Sequence, residues 1–234
     1  MSTMFIPQGV YENIINTLGQ WKILDSKTLH HFCDHHISYK NFLKKINRLE
    51  SAGLVKAVFV GNKKKHLYLS QGGIEHTYHN STSEISQENL RHDLITGMVM
   101  RDLLGWSGLT QGRMFHEFDR GCLIPDGELV GVKESKNIKV ALEVELTQKS
   151  KDRVKEKFGV YCDKSNYDFC LFITNKETLF KTYQRYLQEM NMEVQAKVLL
   201  VLDITLRCSQ SNLSEGICFY MGELRKFREL FFKT

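Results

Sequence analysis

The chain has 234 residues, of which 42% are hydrophobic and 25% are charged. This composition is typical of a globular protein and excludes extensive disorder, and the length is enough for one large domain or two small ones. The formal net charge of +5 permits an anionic partner without requiring one. No apolar run is long enough to cross a membrane, and the first residues carry no secretory signal, so we expect a cytoplasmic protein without a membrane partner.

The first third of the chain predicts three helices followed by a hairpin. Hydrophobic spacing indicates a helix over residues 8–19, and Asp25 or Ser26 can cap a second, short helix. A third helix is predicted over residues 38–51, with one buried stripe made of Phe42, Ile46 and Leu49. Two alternating strands then follow, joined by the basic loop GNKKK, at residues 54–60 and 66–70.

This order, together with the segments FLKKINRLESAGLV and LYLSQGG, resembles the winged helix-turn-helix of DNA-binding domains over about residues 8–77. The resemblance implies that the third helix enters the major groove of double-stranded DNA and that the loop contacts the phosphate backbone. The candidate DNA-binding residues are Lys40, Lys44, Asn47, Arg48, Lys63, Lys64 and Lys65. The alternative is that the lysine run is a solvated turn and that the domain binds a protein.

A polar, turn-rich segment, HNSTSEISQE at residues 79–88, indicates a domain boundary. We therefore predict a first domain at residues 1–80 and a second domain at residues 81–234. The second domain should begin with a helix over residues 88–104 and a strand near residues 113–118, which lead into a central hairpin.

Residues 124–150 are predicted to form this hairpin. Its second strand, residues 139–147, alternates strictly, so its two faces carry different residues. The core face carries Val140, Leu142, Val144 and Leu146, and the opposite face carries Ala141, Glu143, Glu145 and Thr147. Two carboxylates on one face repel each other unless a cation lies between them, and divalent metal ions prefer such oxygen ligands. The hairpin brings Asp126 alongside, so three carboxylates could share one site.

The segments Pro125-Asp126 and Glu143-Val144-Glu145 resemble the motif of the PD-(D/E)xK nuclease superfamily, with Glu145 where the family usually has lysine. The resemblance implies a site for Mg²⁺ or Mn²⁺ whose ligands are Asp93, Asp126 and Glu143. It also implies a catalytic set consisting of Asp126, Glu143, Glu145 and Lys149. Lys149 lies just past the strand and, like Lys151, could supply the missing ammonium group.

The elements around the hairpin agree with the same superfamily. A helix is predicted at residues 151–162 and a buried strand at residues 167–174, so the order becomes α-β-β-β-α-β, which is the common core of PD-(D/E)xK nucleases. The predicted fold class is therefore α/β, α+β overall, with a winged helix-turn-helix ahead of a restriction-endonuclease-like core.

A wider similarity, to the replication-relaxation family of plasmids and integrative elements, covers about residues 10–175. It is carried by His92-Asp93-Leu94, Pro125-Asp126-Gly127 and ALEVEL at residues 141–146. The similarity implies a DNA-binding protein of a mobile element that acts in replication, mobilisation or its regulation.

Two functions stay open at this point. One is a DNA-binding protein without catalysis and without a cofactor, whose nuclease-like domain mediates assembly, with a homodimer as one candidate form. The other is an active Mg²⁺-dependent DNA endonuclease or nickase. They differ in whether Asp126, Glu143 and a lysine ammonium group converge in the fold.

Three further features have structural interpretations. The basic residues between Lys149 and Lys157 are either a solvated face or a guide for phosphate. The aromatic residues Phe158, Tyr161, Phe169 and Phe172 have the spacing of core residues. Residues 176–234 predict a helix at 177–190, a strand at 198–206 and a basic amphipathic end, LRKFRELFF, and we expect them to extend the sheet and cover its edge.

Overall fold

The computed structural model describes residues 5–33, 36–61, 64–79, 85–106, 108–115, 123–133, 135–163 and 167–231. The chain divides into two compact units, Met1–Gly97 with Met114–Arg120, and Met98–Arg113 with Gly121–Thr234. This division passes through a helix, whereas the predicted division lies in the polar segment at residue 80. Whether the two parts are independent domains stays a prediction.

The first unit contains the three helices and the hairpin that the sequence predicts. In chain order its elements are α1 (Val10–Trp21), β1 (Ile23–Asp25), α2 (Ser26–Phe32), α3 (Tyr39–Ser51), β2 (Val55–Val60), β3 (Lys64–Leu69) and α4 (Gln71–Ile74). Asp25 caps α2 by accepting the backbone N–H groups of Lys27 and Thr28, as expected. The predicted stripe of Phe42, Ile46 and Leu49 on α3 is buried, which confirms that prediction.

Strand β1 was not predicted, because three residues are too few to show a period. It pairs antiparallel with β3, which also pairs antiparallel with β2, so this part of the chain has a sheet in the order β1-β3-β2. The elements therefore follow the order helix, strand, helix, helix, hairpin, with α3 directly before the hairpin.

The helix α5 (Gln87–Leu104) leads from the first unit into the second. The remaining elements are β4 (Leu109–Met114), β5 (Gly127–Lys133), β6 (Lys136–Val144), α6 (Lys151–Asp163), β7 (Phe169–Thr174), α7 (Glu177–Gln188), α8 (Met192–Gln195), β8 (Val198–Leu202), β9 (Ile217–Tyr220), β10 (Glu223–Lys226) and α9 (Phe227–Phe231). From α5 to β7 the order is α-β-β-β-α-β, which confirms the predicted fold class. None of the helices in the described part of the chain has both the length and the apolar character needed to cross a membrane.

The strand predicted near residues 113–118 lies instead at Leu109–Met114, so its predicted position was wrong. The glycines of this region indicate a loop in the sequence, but Gly108, with a φ of 95°, immediately precedes the strand and Gly112 lies inside it. Residues 116–118 of the predicted strand lie outside the described residues.

Within the described part of the second unit, seven strands form one mixed sheet in the order β10-β9-β8-β7-β6-β5-β4. The β5–β6 hairpin is antiparallel, β6, β7 and β8 are parallel, and β8, β9 and β10 are antiparallel. The parallel strands are connected by α6 and by α7 with α8, as parallel connections require. Strands β8, β9 and β10 extend the sheet, as expected for the last part of the chain, and the strand predicted at residues 198–206 is the shorter β8.

The second half of strand β6 is buried on both faces, including the face that carries the predicted carboxylates. Residues 140–144 are all buried, as is usual where helices cover a parallel sheet. Ala141 packs in a core cluster with α6 and α7 that includes Phe158, Tyr161 and Phe172. The interpretation of these three aromatic side chains as packing residues is therefore confirmed, and Glu143 lies in an enclosed place.

A buried acid cluster around Lys157

The hairpin register brings the acids of two strands together. Gly127 pairs with Leu142 across β5 and β6, so Asp126, one residue earlier, lies opposite Glu143. The Asp126 Oδ2 atom accepts the backbone N–H of Val144 at 2.7 Å. This bond fixes the end of the loop before β5 against the end of β6.

The cation next to these acids comes from helix α6. The Lys157 Nζ atom lies 2.5 Å from Glu143 Oε2 and 3.0 Å from Glu145 Oε1. One turn further along the same helix face, the Tyr161 hydroxyl donates a hydrogen bond to Glu143 Oε1. All four side chains are buried, with relative exposures of 1% for Glu143, 4% for Glu145, 8% for Lys157 and 2% for Tyr161.

Burial and charge act against each other in this cluster. Burial raises the pKa of Glu143 above its ordinary value of 4.5, and the charge of Asp126 raises it further, while Lys157 and Tyr161 act to lower it. Burial alone would lower the pKa of Lys157, but Glu143, Glu145 and Asp126 together raise it. Burial, and then the charge of Glu143, raises the pKa of Tyr161, which therefore stays protonated. With every acid ionised, three negative charges face one ammonium group.

Sequence analysis predicted the three acids but named another lysine. Lys149 is half-buried beyond the end of β6, and Lys151 pairs with Glu189 at 2.7 Å. The ammonium group bonded to the acids is that of Lys157. A sequence signal for it exists, because Lys157 stands three residues after Val154 and four before Tyr161, on the apolar stripe of α6. A lysine on such a stripe requires a buried acid as partner.

The other predicted metal ligand, Asp93, lies in the first unit. Its side chain is 6% exposed, and its Oδ1 atom is 3.2 Å from Lys22 Nζ and 3.8 Å from His92 Nδ1. Its membership of a metal site stays a prediction.

The predicted DNA-binding residues of α3 lie on its solvent-exposed face: Lys40, Lys44, Asn47 and Arg48. In the hairpin, Lys64 pairs with Asp25 at 3.1 Å and Lys65 with Glu50 at 2.7 Å. Lys63 lies outside the described residues. Among the described basic candidates, those of α3 and the 62% exposed Lys64 are therefore open to solvent.

The acid cluster fits a hard divalent cation in the kind of ligand and in charge. Asp126, Glu143 and Glu145 offer carboxylate oxygens, and their negative charge exceeds that of the one ammonium group. Among the described residues, however, no three His, Cys, Asp or Glu side chains are spaced as a ready-made metal site. Both oxygens of Glu143 already accept bonds, from Lys157 and Tyr161. A metal ion would therefore compete with Lys157 for Glu143.

The chain has only weak similarity to the known proteins compared with it. No protein-family model matches the chain, and no curated protein matches it. Two structures of the restriction endonuclease FokI are similar to it: one bound to DNA, with 13% identity and a TM-score of 0.29, and one with 11% identity and a TM-score of 0.27. They cover 75% and 76% of this chain, which spans only 40% and 39% of the FokI chains. TM-scores this low do not establish a common fold.

Proposed function

We propose that the chain is a DNA-binding protein in which a winged helix directs a Mg²⁺- or Mn²⁺-dependent DNA nuclease to double-stranded DNA. The observation that carries this proposal is the ammonium group of Lys157, which lies between Glu143 and Glu145 while Asp126 lies opposite Glu143. Two carboxylates on neighbouring strands with a lysine beside them are the groups that metal-assisted phosphodiester hydrolysis needs.

In this proposal each group has a stated task. Asp126 and Glu143 would hold the metal ion, with Glu145 beside them. The ion, when bound, lowers the pKa of water and offsets negative charge on a phosphate group. Lys157 presents a charged Nζ atom with three donors, of which two point to carboxylates, and in this proposal the third would donate to a phosphate oxygen. Tyr161 keeps Glu143 in a fixed orientation. Lys149 and Asp93 stay candidates from the sequence alone.

The first unit supports DNA binding through its element order and its exposed charges. Helix α3 precedes the β2–β3 hairpin, as in a winged helix, and carries Lys40, Lys44 and Arg48 on its solvent face. Phosphate contacts by such side chains supply most of the affinity of duplex DNA binding. A role in replication or mobilisation of a plasmid or other mobile element is supported by the sequence resemblance alone.

One observation favours a second candidate, a DNA-binding protein without catalysis. Both oxygens of Glu143 are bonded inside the protein, so the cluster could serve only to hold α6 on the sheet. The second unit would then mediate assembly, for example in a homodimer.

Cleavage of supercoiled plasmid separates the two candidates. We expect the full chain to nick or linearise plasmid in Mg²⁺ or Mn²⁺ but not in EDTA. Asp126→Asn and Glu143→Gln should each slow this reaction by roughly a hundredfold or more, because losing about 3 kcal/mol of charge stabilisation changes a rate by about that factor. The matched control is Glu189→Gln, which neutralises an exposed glutamate and should leave the rate unchanged. Plasmid that stays intact at a large excess of protein with metal would eliminate the nuclease and leave the second candidate.

DNA binding by α3 can be measured apart from cleavage, in EDTA. We expect Lys40→Gln with Lys44→Gln to weaken binding to duplex DNA and to reduce the slope of log K against log salt by up to about 1.8, because each phosphate that a lysine neutralises accounts for about 0.9 of that slope. The control removes two exposed lysines of the second unit, Lys176→Gln with Lys181→Gln. Equal slopes for wild type and the α3 variant would remove this helix from the DNA interface.

A further inference from the structure

A second buried acid of the same sheet holds two exposed cations. The Glu128 side chain is only 6% exposed. Its Oε1 atom is 3.2 Å from an Arg113 guanidinium nitrogen, and its Oε2 atom is 2.9 Å from Lys139 Nζ. The two cationic side chains are 49% and 40% exposed. The two cationic groups are therefore exposed to solvent, whereas the carboxylate that binds both of them is buried.

Arg113 and Lys139 lie beside Asp126, one of the acids of the cluster described above. Asp126 and Glu128 flank Gly127, so both point to the same side of the hairpin. Arg113 is on the adjoining strand β4, close enough that a Cβ atom at Gly127 would lie 3.2 Å from its carbonyl oxygen. Lys139 stands four residues before Glu143 on β6, on the same face. Asp126 and Glu128 are two positions apart in the chain, which corresponds to roughly 7 Å along an extended strand.

Tyr167 and Asp168 contact Lys139 and its partner Glu128 and hold them in place. The Lys139 Nζ atom lies 5.4 Å from the centre of the Tyr167 ring, and the Lys139 backbone N–H donates to Asp168 Oδ2 at 2.8 Å. Burial, and then the charge of Glu128, raises the pKa of Tyr167, so its hydroxyl stays protonated and bonds Glu128. Asp168 is exposed, so its negative charge faces solvent next to Lys139, unlike that of Glu128.

We propose that Arg113 and Lys139 bind a backbone phosphate of the DNA strand whose neighbouring phosphodiester lies at Asp126 and Glu143. Glu128 is the positioning residue that holds the two cations. Arginine offers a planar fork of donors to phosphate oxygens and lysine offers a compact charge, so together they match one phosphate group. This inference rests on the proposed function, since it places the strand by the nuclease-like centre.

The test compares two doubly substituted full-length chains that lose equal charge. Arg113→Gln with Lys139→Gln removes the proposed phosphate contacts. Lys176→Gln with Lys181→Gln removes two exposed lysines at the start of α7, of which Lys181 pairs with Glu177, an acid that is itself 64% exposed. Binding of a 20-base-pair duplex, roughly two turns of DNA, is measured in EDTA over a series of salt concentrations. We expect the first variant to reduce the salt slope by up to about 1.8 and the affinity at 0.1 M salt by at least roughly tenfold, and the second to do much less. Equal losses in both variants, or no loss in the first, would overturn the inference.

The first variant leaves the buried Glu128 without its two cations, and this could disturb folding. A third variant therefore tests the same surface while both cations remain. Asp168→Asn keeps an oxygen acceptor for the Lys139 N–H and removes a negative charge next to Lys139. It should tighten duplex binding several-fold at low salt, and binding that is no tighter would contradict the inference.

Because these measurements need no cleavage, they separate the two proposals. Intact plasmid together with a reduced slope would eliminate the nuclease and keep the phosphate contact. Cleaved plasmid together with an unchanged slope would eliminate the contact alone.

Discussion

Lys157→Met is expected to lower the free energy of unfolding by about 3–5 kcal/mol at about pH 9, where Glu143 is ionised despite its raised pKa. Methionine fills much of the same space, so the main change is the loss of charge. The buried carboxylates of Glu143 and Glu145 then remain without their cation, and breaking a buried ion pair from one side typically has this cost. Urea denaturation of the full chain measures the effect, and plasmid cleavage by the same variant should be abolished.

Two controls isolate the charge of Lys157. Lys155→Met removes a lysine of the same helix that pairs with the exposed Glu189, and such a change should stay within about 0.5 kcal/mol. Lys157→Met combined with Glu143→Gln should lose less than the sum of the single changes, because the two side chains contact each other. A loss from Lys157→Met that is the same at about pH 4 and about pH 9, on either side of the raised pKa of Glu143, would assign the loss to packing, since protonating the acids should relieve a purely electrostatic cost.

Glu143→Gln is expected to raise the free energy of unfolding relative to wild type, and this gain should grow as the pH rises. The pKa of Glu143 is raised by burial and by Asp126 from its ordinary value of 4.5, so above pH 4.5 the folded protein keeps a proton that the unfolded chain has lost. The stability that this proton provides is complete below pH 4.5 and is lost as the pH rises through the raised pKa. Glutamine does not titrate. The free energy of unfolding of the variant should therefore rise relative to that of wild type by up to about 1.4 kcal/mol for each pH unit in that window.

Urea denaturation over a pH series gives this difference directly. Glu189→Gln is a control of opposite sign, because Lys151 and Lys155 lower the pKa of Glu189 to about 2, and the stability from that pair is lost as the pH falls. A Glu143→Gln variant that loses stability relative to wild type as the pH rises would mean that attraction to Lys157 outweighs burial and Asp126.

Divalent metal provides a second readout of the same variant. If Mg²⁺ or Mn²⁺ binds the cluster, it should stabilise wild type by linkage, by about 2.7 kcal/mol at a hundred times the Kd. Glu143→Gln should lack this gain. Wild-type protein that is unaffected by either ion would remove the metal from the proposal.

The sequence predicted the parts of the fold that local patterns determine. The stripe on α3, the Asp25 cap of α2, and the hairpin with its alternating acids all depend on residues close together in the chain. Strand β1 was missed because it is short, and β4 was misplaced because glycines such as Gly112 are typical of loops. The first error adds a strand to the predicted order, and the second moves the boundaries of a predicted strand.

In the candidate site, local sequence patterns predicted the contact within one hairpin but not the contact made by a separate helix. Asp126 and Glu143 meet through the register of one hairpin, which strict alternation can indicate. Lys157 reaches them only because α6 packs on the sheet in one rotation, and this depends on the fit of side chains such as Phe158 and Phe172, whose rings are 4.7 Å apart. Without that packing, Lys149 was the nearer candidate in the chain. The sequence therefore named Lys149, whereas the ammonium group bonded to the acids is that of Lys157, and a role for Lys149 stays a prediction.

The division of the cluster between two elements makes the site depend on how α6 is docked. The acids belong to the β5–β6 hairpin, whereas Lys157 and Tyr161 arrive on a helix. Helices on a sheet can open locally at a lower free energy than the strands beneath them. Detachment of α6 would take away the ammonium group and the phenol together while the strands remained paired. If the proposed nuclease is correct, a molecule opened in this way would keep its acids on the sheet but lack the ammonium group beside them.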